Sequence, residues 1–194
     1  VDVGGTKIAA GLVTEEGEVL RTARRETPAS EVDATAKAIA DLVTDLSADE
    51  DVAAVGIGAA GFCDAERTKV AYAPNLAWRN EPLAERISEA TGLPTVVEND
   101  ANAAAWGEFR FGAAKDAKSA IVVTLGTGIG GGIIVNDQLI RGFQGFAGEI
   151  GHMQMKEGGR RCGCGLRGCW EHYGSGTALV HEAREIATVA PASA

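Results

Sequence analysis

The sequence predicts an α/β fold made of two related halves. Short apolar segments with the spacing of strands alternate with longer amphipathic segments that have helical spacing, which is the pattern of α/β proteins. At two places more than a hundred residues apart, a strand-like segment is followed by a glycine-rich turn and then by another strand. The 26 glycines among 194 residues are about twice the average share. Their clustering in loops indicates binding sites.

In the first half, the strand-like segments are short and end in turn residues, whereas the helical ones repeat apolar residues every three or four positions. Glycines supply the early turns, and Gly92 and Pro94 stop the second helix. Either Asn99 or Asp100 could cap the third helix. The predicted elements are strands over 1–3, 8–13 and 18–26, a helix over 31–46, a strand over 52–59, a loop containing Pro74, Asn75 and Trp78, a helix over 82–91, a strand over 95–98 and a helix over 101–111.

The second half repeats the opening of the first. Strands over 119–125 and 129–135 are joined by a Gly-Thr-Gly turn, and Asn136 and Asp137 turn the chain into a strand over 138–140. A final helix is predicted over 176–189. Small and charged residues collect at 112–118, so we place the boundary there and divide the chain into 1–112 and 113–194.

Three of the four cysteines, Cys162, Cys164 and Cys169, lie within eight residues, and His152 is ten residues upstream of the first. Three thiolates and one imidazole are a standard tetrahedral zinc set. We therefore expect the loop 152–171 to hold a structural Zn²⁺, with no ligand position left for a catalytic water. Reduced thiols without a metal are the alternative. Cys63 lies far from the others and is expected to be a small buried residue.

The net charge of −9 argues against nucleic acid or an anionic membrane as the main partner. The sequence contains no run of 18 apolar residues, so no membrane-spanning helix is predicted. Because no secretory signal precedes the clustered thiols, a reducing compartment and hence the cytoplasm is expected. The chain opens on Val1 within a strand-like segment and ends without obvious closure, so it is expected to be a fragment.

Both glycine-rich turns could bind phosphate through backbone N–H groups. In residues 2–7, Thr6 adds a hydroxyl and Asp2 could hold Mg²⁺. A plain hairpin turn is the alternative for this segment. The second turn, in 124–132, matches neither the Walker A pattern nor the Rossmann fingerprint. Two phosphate-binding hairpins that face each other across a cleft would explain why the sequence has both glycine-rich turns.

Acidic residues near the strand ends and the cysteines predict a site for a polyol. Asp100 lies at the end of a strand, where α/β sheets place their ligands, and could accept the proton of a sugar hydroxyl. A helix cap is the alternative role. Glu149 and His152 are three residues apart and would face the same way on one helical turn. With zinc on one imidazole nitrogen, the other becomes a donor beside Glu149, and Glu171 could add a carboxylate.

Five segments resemble motifs of the ROK family of sugar kinases and repressors, within the actin/hexokinase/Hsp70-like superfamily. They are residues 2–7, 98–105, 125–132, 148–152 and 162–171. Within the family, the sequence most resembles the bacterial glucokinases. The resemblance implies a ribonuclease H-like two-lobe ATPase fold with a zinc-binding loop. Residues 1–112 would form the small lobe and 113–194 part of the large lobe, and the C-terminal part would be missing, since the family's kinases are longer.

The resemblance also implies ATP-dependent phosphorylation of the 6-hydroxyl of glucose or a related hexose, with Asp100 as the base. The implied sugar contacts are Gly61, Asn99, Asp100, Glu149, His152 and Glu171. The implied zinc ligands are His152, Cys162, Cys164 and Cys169. The residues implied to face ATP and Mg²⁺ are Asp2, Gly4, Gly5, Thr6, Lys7, Thr124, Gly126, Thr127, Gly128 and Gly130. The full-length protein is expected to form a homodimer or homotetramer.

Several alternatives stay open at this point. The sugar could be N-acetylmannosamine, N-acetylglucosamine, fructose or allose, and the phosphoryl donor could be polyphosphate. The chain could also belong to a sugar-sensing repressor of the same family. A non-catalytic zinc module that scaffolds partners is disfavoured, because it has no need for two glycine-rich hairpins and a strand-end Asn-Asp pair.

Overall fold

The computed structural model describes residues 1–189, so residues 190–194 of the predicted second half lie outside the described part. The elements are β1 (Asp2–Val3), β2 (Lys7–Val13), β3 (Val19–Glu26), α1 (Val32–Ser47), β4 (Val55–Ala59), β5 (Phe62–Cys63), β6 (Val70–Tyr72), β7 (Arg79–Glu81), α2 (Leu83–Thr91), β8 (Thr95–Asn99), α3 (Asp100–Phe111), β9 (Ala120–Leu125), β10 (Ile129–Val135), β11 (Gln138–Leu139), a 3₁₀ turn (Ile150–His152), α4 (Glu171–Gly174) and α5 (Gly176–Val189).

The first sheet has the order β3-β2-β1-β4-β8. β1 to β3 form an antiparallel meander, whereas β1, β4 and β8 run parallel, with α1 and α2 in the crossover connections. Apolar side chains of the sheet, such as Ile8 and Ile57, are buried with Ile39 of α1 and Ile87 of α2. The C-terminal ends of β4 and β8 therefore lie side by side, which brings residues 59–61 next to Asn99.

The second sheet has the order β11-β10-β9 and is antiparallel throughout. Its arrangement matches the β3-β2-β1 meander of the first sheet, and in both a glycine-rich turn joins the first strand to the second. The predicted relationship between the openings of the two halves is confirmed at the level of strand order.

Helix α3 packs against both sheets. Its residues Ala105 and Phe109 are buried with Ile134 and Leu139 of the second sheet. The glycines of β10 make this approach feasible, because an added Cβ at Gly132 would overlap the side chain of Ala105. Part of the glycine-rich segment therefore serves helix packing rather than ligand binding. The helix also connects the two cores, although it precedes the predicted boundary at 112–118.

Replacing Gly132 by Ala is expected to destabilise the fold by about 1–3 kcal/mol, the usual cost of overpacking. The matched control is Gly56→Ala in β4, where no atom lies within 4 Å of the added Cβ. Chemical denaturation of both variants measures the difference. Equal free energies of unfolding for the two variants would contradict the close packing of α3 on β10.

The predicted loop at Pro74, Asn75 and Trp78 is confirmed, because these residues lie between β6 and β7. The small sheet of β5, β6 and β7 on either side of this loop was not predicted. These strands have only two or three residues, too few for a period to be visible in the sequence. Trp78 is 1% exposed and belongs to the first core. The short helix α4 was also not predicted, for the same reason.

Smaller differences concern the element ends. β4 begins at Val55, where its pairing with β8 starts, rather than at residue 52. α3 begins at Asp100, and Asn99 is its cap, accepting a hydrogen bond from the backbone N–H of Asn102 at 3.0 Å. Cys63 is buried as expected, and burial raises the pKa of its thiol to about 12. Among residues 1–189, no helix has both the length and the apolar character that crossing a bilayer requires.

Candidate active site between the glycine-rich turns

An open cleft of about 1290 Å³ lies between the turn that joins β1 to β2 and the turn that joins β9 to β10. All the residues that the sequence analysis assigned to sugar, nucleotide or Mg²⁺ line it. They are Asp2, Gly4, Gly5, Thr6, Lys7, Gly61, Asn99, Asp100, Thr124, Gly126, Thr127, Gly128, Gly130, Glu149, His152 and Glu171. The cleft therefore brings together residues from six separate segments of the chain.

The first glycine-rich turn is fixed by hydrogen bonds to neighbouring strands. The backbone N–H of Gly4 donates to the carbonyl of Lys7 at 3.0 Å. Thr27, which follows β3, donates its hydroxyl to the carbonyl of Gly4 at 2.8 Å and its N–H to that of Thr6 at 3.2 Å. These contacts use carbonyl groups on the side of β3, and the turn lines the cleft as a pre-formed backbone surface.

The second glycine-rich turn is fixed in a similar way but from a different element. The N–H of Gly126 donates to the carbonyl of Gly128 at 3.0 Å, and the N–H of Gly176 donates to the carbonyl of Gly126 at 2.8 Å. Gly176 is the first residue of α5. The start of α5 therefore holds this turn in place, on the opposite side of the cleft from the first turn.

The corner between β8 and α3 carries Asn99 and Asp100. The Asn99 amide donates to the carbonyl of Gly61 at 3.1 Å, so the cap residue also fixes the end of β4. The Asp100 carboxylate accepts from the N–H of Ala101 at 2.9 Å and is open to the cleft. The surrounding protein desolvates this carboxylate and raises its pKa, and the charge of Asp2 raises it further. Both effects make Asp100 a better proton acceptor than an ordinary carboxylate.

Glu149 and His152 share one turn, as the sequence predicted. Glu149 precedes the 3₁₀ turn Ile150–His152, and its carbonyl accepts from the N–H of His152 at 3.1 Å. The pKa of Glu149 is raised, mainly by burial. The charge of His152 lowers this pKa, whereas the charges of Asp100 and Glu171 raise it further. The charges of Asp100 and Glu171 thus both act on Glu149, and the three carboxylates line one part of the cleft. Such a group offers several acceptors to the hydroxyls of a polyol.

The ligand atoms of His152, Cys162, Cys164 and Cys169 all lie within 4.8 Å of one another. The Cys164 and Cys169 sulfurs are 3.6 Å apart, and the Cys162 sulfur is 3.5 Å from Nδ1 of His152. Zinc–sulfur bonds of about 2.3 Å in a tetrahedron place sulfurs about 3.8 Å apart. The cluster therefore fits one tetrahedral ion. Glu171 lies beside it, with Oε1 3.3 Å from the Cys162 sulfur and 3.6 Å from Nδ1 of His152.

The cleft contains polar residues that sequence reasoning missed. Arg160 donates to the carbonyl of His172 at 3.0 Å and to the carboxylates of Glu182 and Glu185 at 3.0 Å each, and so ties the cysteine-rich loop to α5. Its position two residues before Cys162 was a signal, but its partners on α5 were not visible in the sequence. The added polar lining residues are Asn75, Arg160, Arg161, His172, Ser175, Thr177 and His181.

Known proteins resemble this chain over nearly all its length. A glucokinase from Streptomyces coelicolor is 52% identical over 191 residues, which cover 98% of this chain and 60% of the relative. The crystal structure of a ROK family glucokinase from Streptomyces griseus in complex with glucose and AMPPNP has a TM-score of 0.88 at 52% identity, covering 98% of this chain and 61% of that chain.

A xylose repressor from Bacillus subtilis is 37% identical over 185 residues, which cover 93% of this chain and 48% of the relative. The chain thus spans between about half and three fifths of the length of these relatives. The model of the ROK family matches residues 1–193. Because this match covers the whole described fold, including both glycine-rich turns and the cysteine cluster, the chain belongs to the ROK family.

Proposed function

We propose that the full-length protein is an ATP-dependent hexokinase that transfers the γ-phosphoryl group of ATP to the 6-hydroxyl of glucose. The observation that carries the proposal is that Asp100, a carboxylate with a raised pKa, lines the same cleft as two glycine-rich turns and a second group of acidic residues. The similarity to glucokinases supports glucose as the hexose.

Asp100 acts as the general base in this proposal. Its carboxylate accepts the proton of the 6-hydroxyl while that oxygen forms a bond to the γ-phosphorus and the bond from phosphorus to the β-phosphate oxygen breaks. The products are glucose 6-phosphate and ADP, and the proton leaves Asp100 to solvent. The raised pKa suits this role, because the carboxylate is then a stronger base.

The remaining polar groups of the cleft hold the two substrates. Asn99, Glu149, His152, Glu171 and the backbone of Gly61 bind the sugar hydroxyls, and the alternation of acceptors and donors orients the ring. The turns 4–7 and 124–130 bind the phosphates through backbone N–H groups. Asp2 lies at the base of the first turn and is the proposed contact for Mg²⁺. Mg²⁺ bound with ATP supplies positive charge to the β- and γ-phosphates.

We also propose a structural zinc at His152, Cys162, Cys164 and Cys169. The distances within the cluster support a tetrahedral ion. Nδ1 of His152 faces the sulfurs, which leaves Nε2 to donate to a sugar hydroxyl. The ion itself fixes the loop that carries His152 and Glu171. The protein is further proposed to be a cytoplasmic homo-oligomer.

A panel of hexoses tests the proposed function. Purified full-length protein is incubated with ATP and Mg²⁺ and with glucose, fructose, mannose, N-acetylmannosamine, N-acetylglucosamine or allose, and ADP formation is coupled to NADH oxidation. Glucose is expected to give the highest kcat/KM. Replacing ATP by polyphosphate tests the donor by measurement of glucose 6-phosphate. No phosphorylation of any sugar by the zinc-loaded protein would refute the proposal.

The pH dependence of kcat/KM for hexose is expected to show an acid limb with a midpoint above about 3.9, the ordinary value for aspartate. Only ionised Asp100 accepts the proton, so activity is lost as the pH falls through its pKa. Burial and Asp2 raise that pKa. The acid limb is measured at saturating ATP and Mg²⁺. A midpoint at or below the ordinary aspartate value would contradict the assignment.

A sugar-responsive repressor is the second candidate, favoured by the 37% identity to the xylose repressor over most of the chain. In that case the hexose would bind to the same residues and the described domain would act as the sensor. The hexose panel separates the candidates, because a sensor binds sugar in a calorimeter without consuming ATP. The net charge of −9 does not favour DNA binding by this part of the protein, so in this case we expect the DNA contacts to come from another part of it.

A further inference from the structure

Glu98 lies directly before Asn99 and Asp100, but its side chain makes a different set of contacts. Its side chain is only 14% exposed. One carboxylate oxygen accepts from Nε of Arg141 at 2.7 Å and lies 3.9 Å from Nε of Arg67. The other accepts from the side-chain amide of Asn102 at 3.3 Å. Burial of this carboxylate has a desolvation cost that its three side-chain partners offset, so removing the charge leaves those partners uncompensated.

The partners of Glu98 belong to both halves of the chain. Arg67 lies in the connection between β5 and β6 of the first half, where its carbonyl accepts from the N–H of Val97 in β8 at 2.9 Å. Asn102 is 1% exposed and lies in the first turn of α3. Arg141 follows β11 in the second half and begins the segment 141–148, which leads directly to Glu149. Glu98 is thus the point at which these three segments meet.

The segment 141–148 also rests on the first half at its other end. Gly145 has a φ of +92°, and an added Cβ there would overlap the carbonyl oxygen of Cys63. Phe146 packs edge-on against Phe62, with ring centroids 5.1 Å apart. The segment is therefore held by an ion pair at Arg141 and by close packing near Phe146. Glu149 follows three residues after that packing contact.

We infer that Glu98 is a positioning residue that sets the separation between Asp100 and Glu149 across the sugar site. On one side the carboxylate holds α3 through Asn102, two residues after Asp100. On the other side it holds Arg141, at the start of the segment that ends at Glu149. The inference rests on the proposed function, and the residue touches neither sugar nor ATP. Loss of its charge leaves two guanidinium groups facing each other, and the segment 141–148 moves relative to α3.

The test uses Glu98→Gln, Arg141→Met and the double variant in the full-length protein. Glu89→Gln is the matched control, because Glu89 is an exposed carboxylate on α2. Each single change at the ion pair is expected to lower kcat/KM for the hexose by about ten- to hundredfold, the scale of a small misplacement of reacting groups. KM for the hexose rises, whereas KM for ATP stays at the wild-type value, because other contacts hold the glycine-rich turns.

The double variant is expected to be no worse than the poorer single variant, since both changes remove the same interaction. A variant that merely folded less well would contain fewer active molecules, so kcat would fall while both KM values stayed the same. That pattern, or wild-type values for both ion-pair variants, would overturn the inference. If Glu98→Gln does not yield folded protein, Arg141→Met tests the same ion pair from its other end.

The outcome for the wild type separates this inference from the proposed function. A wild-type protein that phosphorylates hexose while both ion-pair variants match it leaves the proposed function standing and removes the role of Glu98. A wild-type protein that neither phosphorylates nor binds hexose removes the proposed function and, with it, this inference.

Discussion

Replacing Asp100 by Asn is expected to lower the turnover of hexose by about 10²- to 10⁴-fold, the usual contribution of a general base. The amide has almost the same size and keeps the acceptor for the N–H of Ala101, so the corner between β8 and α3 keeps its form. It cannot accept the proton of the 6-hydroxyl. Hexose affinity, measured by calorimetry, is therefore expected to stay close to the wild-type value while kcat falls.

Stability separates this effect from a loss of folded protein. Because the pKa of Asp100 is raised in the folded state, its contribution to stability is fully present below the ordinary aspartate pKa and is lost as the pH rises through the raised value. Above that value the ionised carboxylate therefore opposes folding, and the neutral amide removes that cost. Asp100→Asn is expected to unfold at the same temperature as the wild type or higher.

Asp116→Asn is the matched control, since Asp116 is an exposed aspartate in the connection between α3 and β9. It makes the same chemical change at a distance from the cleft and is expected to keep full turnover. If Asp100→Asn retained most of its turnover, Asp100 would not be the base. If its turnover and its hexose affinity fell together, Asp100 would act in sugar binding instead.

Replacing Cys164 by Ser is expected to abolish binding of the proposed zinc and to weaken hexose binding at least tenfold, in line with the usual effect of disturbing the support of a site. The sulfur of Cys164 lies 3.6 Å from that of Cys169, on the exposed side of the cluster. A serine hydroxyl is a poor replacement for a thiolate on zinc. Without the ion, His152 loses one of the contacts that fix its ring, and the loop that carries Glu171 is no longer closed.

Zinc content is measured by elemental analysis and hexose affinity by calorimetry on the same samples. Cys63→Ala is the control, because it also removes one thiol but from a buried position in the first core. One zinc per chain in the wild type and in Cys63→Ala, with none in Cys164→Ser, is the expected result. Zinc in all three proteins at the same level would refute the ligand assignment. Full hexose affinity in the metal-free variant would refute the claim that zinc supports the sugar site.

Local patterns in the sequence were sufficient to predict most of the fold. The strand before Asn99 is rich in β-branched residues and follows Pro94, the helix after it is long enough to show its period, and Asn99 is a good cap, so this corner could be placed within one residue. The two glycine-rich turns were recognisable because each stands between two strand-like segments. The cysteine cluster was recognisable because its ligands lie close together along the chain, and a short spacing limits where the side chains can go.

The parts that could not be predicted depend on contacts between distant residues. Strands of two or three residues, such as β5 around Phe62, have no visible period and exist because neighbouring segments pair with them. The salt bridge of Arg160 to α5 joins residues 22 and 25 positions apart. The ion pair of Glu98 with Arg141 joins residues 43 positions apart. Nothing in the local sequence around Glu98 indicates that its partner lies in the other half.

The position of His152 and Glu171, which border both the cysteine cluster and the cleft, has a thermodynamic consequence. Under the proposed assignments, zinc strengthens hexose binding through these two residues. Linkage then requires that hexose strengthens zinc binding by the same factor. A chelator should consequently extract the metal less readily from the sugar-loaded protein, so that a cell rich in sugar would protect the proposed zinc site from metal starvation.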